Sequence, residues 1–230
     1  MSDPENHLIE RLPRRERLRL LAICEPVQMA LSEVLSQPGV AGRHVYFPTA
    51  GYVSLVSLIE GSPGVEVGMV GREGMLGAHH ALGSPLAPTH SLVQGAGHAW
   101  RVRAAPFRQE LARSDPLQSC LRLYIYVLMM QLATSAACLR FHRVGPRLAR
   151  WLLMSQDRAH ADSFPMTQEF LAFMLGVRRV GISAAASELQ RQGLIEYKRG
   201  DVRVIDRRGL EGAACGCYGA DRVAYAAAFR

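Results

Sequence analysis

The stretch that decides the fold runs MTQEFLAFMLGVRRVGISAAASELQRQGLIEYKRGDVRVI, from Met166 to Ile205. Thr167 offers a side-chain oxygen to a helix whose first turn holds Gln168 and Glu169, and Phe170, Leu171, Met174 and Leu175 give that helix an apolar face. Gly176 stops it. A second helical pattern begins at Arg179, with Ile182, Ala185, Ala186 and Leu189 inward, and Gly193 ends it. Two helices joined by a short glycine-containing turn predict a helix-turn-helix, whose second helix can enter a major groove. Leu194 to Tyr197, the turn Arg199-Gly200-Asp201 and Val202 to Ile205 then predict a hairpin, so the motif is winged. Arg178, Arg179, Lys198, Arg199 and Arg203 load the helix start and the wing with positive charge, as phosphate contacts require. Thr167, Gln168 and Ser183 complete the candidate DNA-binding set with Arg178, Arg179, Lys198 and Arg199.

The charge balance points the same way. The 230 residues carry a formal charge of +7, and 26 of the 27 basic side chains are arginine, Lys198 being the only lysine. Residues 1–139 hold 12 basic and 11 acidic side chains, whereas residues 140–230 hold 15 and 9. The positive field therefore belongs to the C-terminal part, where a polyanionic partner is expected. A hydrophobic fraction of 49% with 20% charged residues is ordinary globular composition and excludes a disordered or collagenous chain. Five cysteines, an odd and widely spaced set, follow an N-terminus that alternates charges through Arg14, Arg15, Glu16 and Arg17. The expectation is a reducing, cytoplasmic setting.

Upstream, the character changes twice. Residues 7–36 read as short helices with apolar positions at Leu8, Leu12, Leu18 and Leu21 and at Leu31, Val34 and Leu35. From Gly39 to Gly97, twelve of the 21 glycines separate short runs: His44 to Phe47, Tyr52 to Leu58, Val65 to Val70, Ser91 to Val93 and His98 to Val102. This is strand punctuation, and many short strands that must bury two faces predict a double-sheet jelly roll or a small barrel.

After Pro106 no glycine occurs until Gly145, and Leu117, Leu121, Tyr124, Leu128, Gln131, Ser135 and Cys138 keep a 4-3 spacing. A second apolar line runs through Leu123, Val127, Met130, Thr134 and Ala137. A long helix apolar nearly all round buries one face on its own domain and another elsewhere, and a symmetric copy is the simplest partner. Leu117, Leu121, Tyr124, Leu128, Gln131 and Ser135 are thus the expected homodimer seam. The uncharged run from Leu123 to Leu139 spans seventeen residues and is interrupted by Gln131, Thr134 and Ser135, so a buried helix is expected there and no membrane partner.

Taken together, Val67-Gly68-Met69-Val70-Gly71-Arg72-Glu73-Gly74-Met75, the long helix, Arg147-Leu148-Ala149-Arg150-Trp151-Leu152-Leu153, Met166 to Ala172 and the winged motif resemble the Crp/Fnr family of bacterial transcription regulators. The resemblance covers almost the whole chain. It implies an α+β protein: an N-terminal β jelly roll of the cyclic-nucleotide-binding type over 1–115, a dimerisation helix over 116–140, and a C-terminal winged helix-turn-helix over 141–230. It also implies a homodimer that binds a near-palindromic operator in double-stranded DNA and regulates transcription without enzymatic activity. RNA polymerase and an unidentified small-molecule or protein effector stay open as further partners. In the resemblance, Arg179 falls where family members present an arginine to a guanine edge.

Departures from the family pattern bear on the effector. Cyclic-nucleotide-binding members place a carboxylate on the ribose from a Gly-Glu-x-Gly turn and hold the cyclic phosphate with an Arg-Ser pair. Here the turn aligns as Gly74-Met75-Leu76-Gly77 and the clamp falls at Thr89 and His90. The candidate effector-pocket residues Gly74, Met75, Gly77, Thr89 and His90 therefore lack both polar contacts, and cAMP is not expected to be the effector. No cofactor is expected either. An iron-sulfur cluster needs four thiolates, and only Cys24, Cys120 and Cys138 lie in this part. Cys215-x-Cys217 reads as an incidental tail feature, and His44, His79, His80, His90 and His98 as polar surface or loop residues, so no metal site is assigned. The competing class is a cupin-like metal-dependent enzyme, or a haem- or metal-dependent sensor, built on the jelly roll. The enzyme needs two histidines one residue apart on a strand, whereas the adjacent His79 and His80 would face opposite sides.

Overall fold

A computed structural model describes residues 6–61, 64–198 and 200–230 of the chain. They fall into two compact units, one drawn from Met1–Leu55 and Met69–Met129 and the other from Val56–Gly68 and Met130–Arg230. The division falls inside the long helix, between Met129 and Met130.

The first unit opens with α1 (His7–Glu10) and α2 (Arg14–Leu21). Asn6 is buried and uses both ends of its amide. Its Oδ1 accepts from the N–H groups of Leu8 at 3.0 Å and Ile9 at 3.4 Å, while its Nδ2 donates to the carbonyls of Pro48 at 3.0 Å and Gly74 at 2.7 Å. One side chain caps a helix and ties it to a strand at Pro48 and to the loop at Gly74. The strands that follow are β1 (Glu25–Met29), β2 (Val34–Ser36), β3 (His44–Ser57), β4 (Val65–Val70) and β5 (His90–Arg103), with a 3-10 turn at Ala78–Leu82; the last two residues of β3 and the first four of β4 belong to the second unit. Their order is β1-β5-β3-β4, and β2 also pairs with β5. Two helices complete the unit: α3 (Ala104–Arg113) and the start of α4 (Asp115–Phe141).

Two expectations are corrected here. Residues 25–29 and 34–36 are strands antiparallel to β5, not a second helix, and Leu31 and Val34 are exposed instead of forming a helix face. Several glycines expected to end strands lie inside them, because β3 and β5 each run for 14 residues through the predicted breaks. The reason is close backbone approach. Gly51 has φ +74°, and a Cβ there would meet the carbonyl oxygens of Gly95 and Ala96; one at Gly97 would meet the Ala50 carbonyl.

A third correction concerns the expected dimer seam on α4. Leu117, Leu121 and Tyr124 are buried within the chain itself, at 1–4% exposure, and Ser135 is buried too. Leu128 and Gln131 are half-buried. The periodicity was real but its direction is inward: this line seats the helix on its own core. The exposed apolar line of α4 is Leu123, Tyr126, Met130, Ala133 and Ala137, again at 3-4 spacing.

The second unit contains α5 (Val144–Ala159), β6 (Ser163–Pro165), α6 (Gln168–Leu175), α7 (Arg179–Arg191), β7 (Ile195–Lys198), β8 (Asp201–Val204), α8 (Arg207–Ala213) and α9 (Cys217–Ala228). The small sheet is antiparallel in the order β6-β8-β7. Its core gathers Leu148, Trp151, Leu152 and Leu153 of α5 with Leu171, Met174 and Leu175 of α6 and Ile182, Ala186 and Leu189 of α7. Trp151 Nε1 donates to Glu66 Oε1 at 3.0 Å, tying α5 to the start of β4, which belongs to the same unit.

Gly39 and Gly51 provide a matched test of this backbone argument. Both have φ near +75°, but a Cβ at Gly39 meets nothing within 4 Å. Gly39→Ala should cost about 1–2 kcal/mol from the left-handed conformation alone. Gly51→Ala adds overlap with two carbonyls and should cost roughly 2–5 kcal/mol. Urea denaturation of the two variants checks the difference; equal losses would place the strain in φ and not in the close approach of β3 and β5.

Candidate nucleic-acid interface

The geometry of the interface begins with how α6 is started and stopped. Thr167 is its N-cap, its Oγ1 accepting from the Phe170 N–H at 3.2 Å, with Glu169 in the first turn. Gly176 ends it in the left-handed region at φ +60°, and the Val177 N–H closes back on the Ala172 carbonyl at 3.0 Å. Arg147, buried on α5, donates its guanidinium to the Leu175 carbonyl, so a helix-end acceptor inside the core is satisfied. The chain then turns, and α7 leaves at 109° to α6. Leu171, Met174, Leu175, Ile182, Ala186 and Leu189 point inward as the periodicity predicts, while Phe170 and Ala185 are only half-buried.

This turn projects the start of α7 outward. Arg178, the N-cap residue, and Arg179, the first helical residue, are both exposed, and Val180 beside them is 71% exposed. Ala184, Ser187, Glu188 and Arg191 continue the outward face. Ser183 and Gln168 are brought together, the serine Oγ donating to the Gln168 Oε1. They therefore join α6 to α7 in addition to lying on the candidate surface. Tyr197 connects the same helix to the sheet: its N–H donates to Gln190 Oε1 at 2.8 Å and its hydroxyl to the Met166 carbonyl at 2.8 Å. Burial pushes the Tyr197 phenol up, and the positive charge of Arg179 acts in the opposite direction.

The wing is the β7–β8 hairpin, in register from Ile195 opposite Val204 to Lys198 opposite Asp201. Gly200, with φ +87°, supplies the left-handed residue that a two-residue hairpin turn needs. Arg199 lies outside the described residues. Lys198 and Arg203 are exposed, but each stands opposite an acid, Lys198 across from Asp201 and Arg203 across from Glu196. Within the strands the charges of Lys198 and Arg203 thus each face an acid, whereas Arg178 and Arg179 stand exposed at the start of α7 with no acid in its first turn.

The candidate effector residues sit differently from a polar pocket. Gly74 and Met75 are buried beneath Tyr124, whose hydroxyl donates to the Met75 carbonyl at 3.0 Å; a Cβ on Gly74 would run into that ring. Gly77, at φ +92°, starts the 3-10 turn. The Thr89 carbonyl accepts from Ser36 Oγ at 3.2 Å, and His90 begins β5. A surface concavity lined by Val34, Ser36, Val40, Gly42 and His44 draws on none of these five. His79 and His80 lie on the 3-10 turn and not on a strand, so both rings face Gly42, their Nε2 atoms each 3.0 Å from where its Cβ would be. Their ring centroids are 4.3 Å apart, and burial together with the neighbouring imidazole pushes His79 down to about 4. Among the described residues, no third potential ligand joins this pair to make a metal-binding group.

Residues 146–213 match the model of the Crp-like helix-turn-helix domain. Among curated protein sequences, none matches the chain. Among solved structures, a regulator assigned to the Crp/Fnr family from Eubacterium rectale superposes with a TM-score of 0.71 at 14% identity, covering 90% of this chain and 97% of that one. CLP of Xanthomonas campestris, described as a c-di-GMP-responsive global regulator, gives 0.68 at 16% identity over 84% of this chain and 99% of its own. FixK2 of Bradyrhizobium japonicum gives 0.68 at 14% identity over 84% and 98%. The mixed helix and sheet architecture is thus that of these regulators: an N-terminal β-sheet domain, a long helix and a C-terminal helix-turn-helix domain. The chain carries a Crp-like helix-turn-helix domain at residues 146–213 within the fold of the Crp/Fnr transcription regulators.

Proposed function

We propose that this protein is a cytoplasmic, sequence-specific DNA-binding transcription regulator that acts as a homodimer on a near-palindromic operator. It is not an enzyme, and it does not respond to cAMP. The observation that carries the reading is the pair Arg178 and Arg179, exposed at the start of a helix that leaves its partner at 109° beside a wing. In this reading α7 enters the major groove, Arg179 reads a guanine edge, and Arg178, Lys198 and Arg199 contact phosphate. Thr167 and Gln168 approach the backbone from the start of α6, with Ser183 contacting it or a base edge.

The dimer surface in this reading is the exposed line of α4, Leu123, Tyr126, Met130, Ala133 and Ala137, and its occupant is the same line of a second copy. By length and composition α4 also meets the measure of a membrane span. Its inward line on a core and the small side chains of Ala133 and Ala137 favour a helix partner.

Arg179→Ala should cost about 1–3 kcal/mol on a selected operator and relax preference at one base pair in each half-site. Lys198→Ala should weaken all duplexes alike and lower the salt slope by about one. Binding to the operator, single-base variants and random DNA at several salt concentrations separates the two, and uniform weakening by Arg179→Ala would remove it as a base reader. Met130→Glu should give a folded monomer, since Met130 is 40% exposed in the chain; light scattering with circular dichroism checks this, and a persistent dimer would place the interface elsewhere. Saturating cAMP should leave the melting temperature unchanged, because Met75 and the Tyr124 phenol occupy the turn that would meet a ribose. A saturable rise would overturn this part of the reading.

A further inference from the structure

The last turn of α4 and the linker between α8 and α9 hold a side-chain cluster that DNA binding does not use. Cys138 and His142 are four residues apart at the end of α4, on one face, with the His142 N–H bonded to the Cys138 carbonyl at 3.1 Å. The Cys215-x-Cys217 pair, which reads as an incidental feature in sequence, arrives beside them. Its backbone is fixed by the Cys215 N–H on the Pro146 carbonyl at 3.2 Å and by the Tyr218 N–H on the Cys215 carbonyl at 3.1 Å. Cys138 Sγ lies 3.5 Å from Cys215 Sγ, and Cys217 Sγ lies 3.5 Å from His142 Nδ1. One potential ligand atom from each of the four lies within 4.8 Å of all the others.

We infer that Cys138, His142, Cys215 and Cys217 form a structural zinc site. A tetrahedral ion with bonds of about 2.3 Å to sulfur and 2.0–2.1 Å to nitrogen spaces its sulfurs about 3.8 Å apart and its sulfur and nitrogen about 3.5 Å apart. The sulfur–sulfur and sulfur–nitrogen separations of 3.5 Å suit a single ion in the centre, and a spread of no more than 4.8 Å among all four is too short for the ligands of a four-iron cluster. Three thiolates and one imidazole are borderline-soft donors of the kind zinc takes, and four protein ligands leave no open position, so the ion holds structure and does no chemistry. Three thiolates on a divalent ion leave one negative charge. Arg147 and Arg150 stand close enough to feel Cys138 and Cys215 electrostatically, and Arg150 is itself held by Asp221 at 2.7 Å. Cys217 also opens α9, where the helix dipole favours a thiolate. His142 is exposed, which gives the ion a route in.

The consequence is topological. The ligands precede and follow the helix-turn-helix domain at residues 146–213, and the cysteine pair and the cysteine-histidine pair each join positions 77 and 75 residues apart. Zinc therefore clasps the chain on either side of the domain and holds α9 against the end of α4.

The test uses the full chain, purified under reducing conditions without a metal-affinity step. Elemental analysis should find one zinc per chain, retained in Cys24→Ser and lost in Cys217→Ser and His142→Ala. Because a variant can lose zinc by misfolding, the second measurement uses the unaltered protein. After chelation under reductant, Co2+ alone should restore an intense visible spectrum of tetrahedral thiolate coordination, saturating at one equivalent and abolished by added Zn2+. Chelation should also lower the melting temperature, with zinc restoring it. The inference is overturned by metal-free protein that takes up no Co2+, by iron in place of zinc, by zinc retained in both variants, or by a Cys138–Cys215 disulfide that survives reductant.

Discussion

The inward line of α4 is the constraint on which much else depends. Leu117, Leu121 and Tyr124 bury almost all of their surface, and Val127 continues the line one turn on. Each such side chain contributes on the order of 1.5–3 kcal/mol by leaving water. That sum fixes the rotation of the helix about its own axis, and everything else on α4 follows from the rotation. With this line inward, Leu123, Tyr126 and Met130 are exposed. Tyr124 also connects the helix to the loop at Gly74 and Met75, and Asn6 reaches the same loop from the N-terminus through the Gly74 carbonyl. A loop held from two directions by buried hydrogen bonds has little freedom to open around a ligand.

Much of the second unit was legible because its signals are local. Thr167, Gly176 and Gly193 stand at helix boundaries, and only a few residues at such positions satisfy the orphaned backbone groups. The wing was legible for the same reason, since Gly200 occupies a two-residue turn between alternating strands. What sequence did not reveal depends on long-range contacts. Gly51, Gly95 and Gly97 look like turn residues, and only the pairing of β3 with β5 shows that Gly51 and Gly97 permit two backbones to touch within strands and that Gly95 makes room for the Tyr52 ring. The two apolar lines on α4 are equally periodic, so no property of the helix alone distinguishes the core side from the free side. The acids opposite Lys198 and Arg203 were visible as residues, but their effect on the wing depends on register.

The cysteine and histidine cluster shows the same limit in a sharper form. Cys138 with His142 is an unremarkable helical spacing, and Cys215-x-Cys217 is short for a zinc knuckle. Either pair alone is weak. Their meeting depends on α5 and α9 packing, which the Arg150–Asp221 pair and the Asp157–Tyr218–Arg207 network hold in place. Both members of the first pair are little exposed, at 11% and 12%, so the interaction resists solvent screening more than a surface ion pair does.

The two helices of the motif treat their N-termini in opposite ways, and the contrast bears on function. α6 begins as a stable helix should, with a threonine cap and a glutamate in the first turn. α7 begins with Arg178 at the cap, making no side-chain cap hydrogen bond, then Arg179, and has no acid in its first turn. The helix dipole places a partial positive charge at that end, so each arginine there opposes it by about 0.3–1 kcal/mol. Neither arginine contributes to the core, and Val180 adds an exposed apolar side chain to the same end. A local arrangement that costs stability and is not offset within its own helix belongs where something outside the chain compensates it. The compensating partner must be anionic, and it must approach from the side to which the 109° turn directs α7. The free N–H groups of the first turn, the dipole and two guanidinium groups then act together on one anion, as a phosphate backbone supplies. The same groups that weaken the isolated helix would thereby strengthen a complex, which is why the proposed interface is centred on the start of α7, with the wing, whose Lys198 and Arg203 each face an acid, beside it.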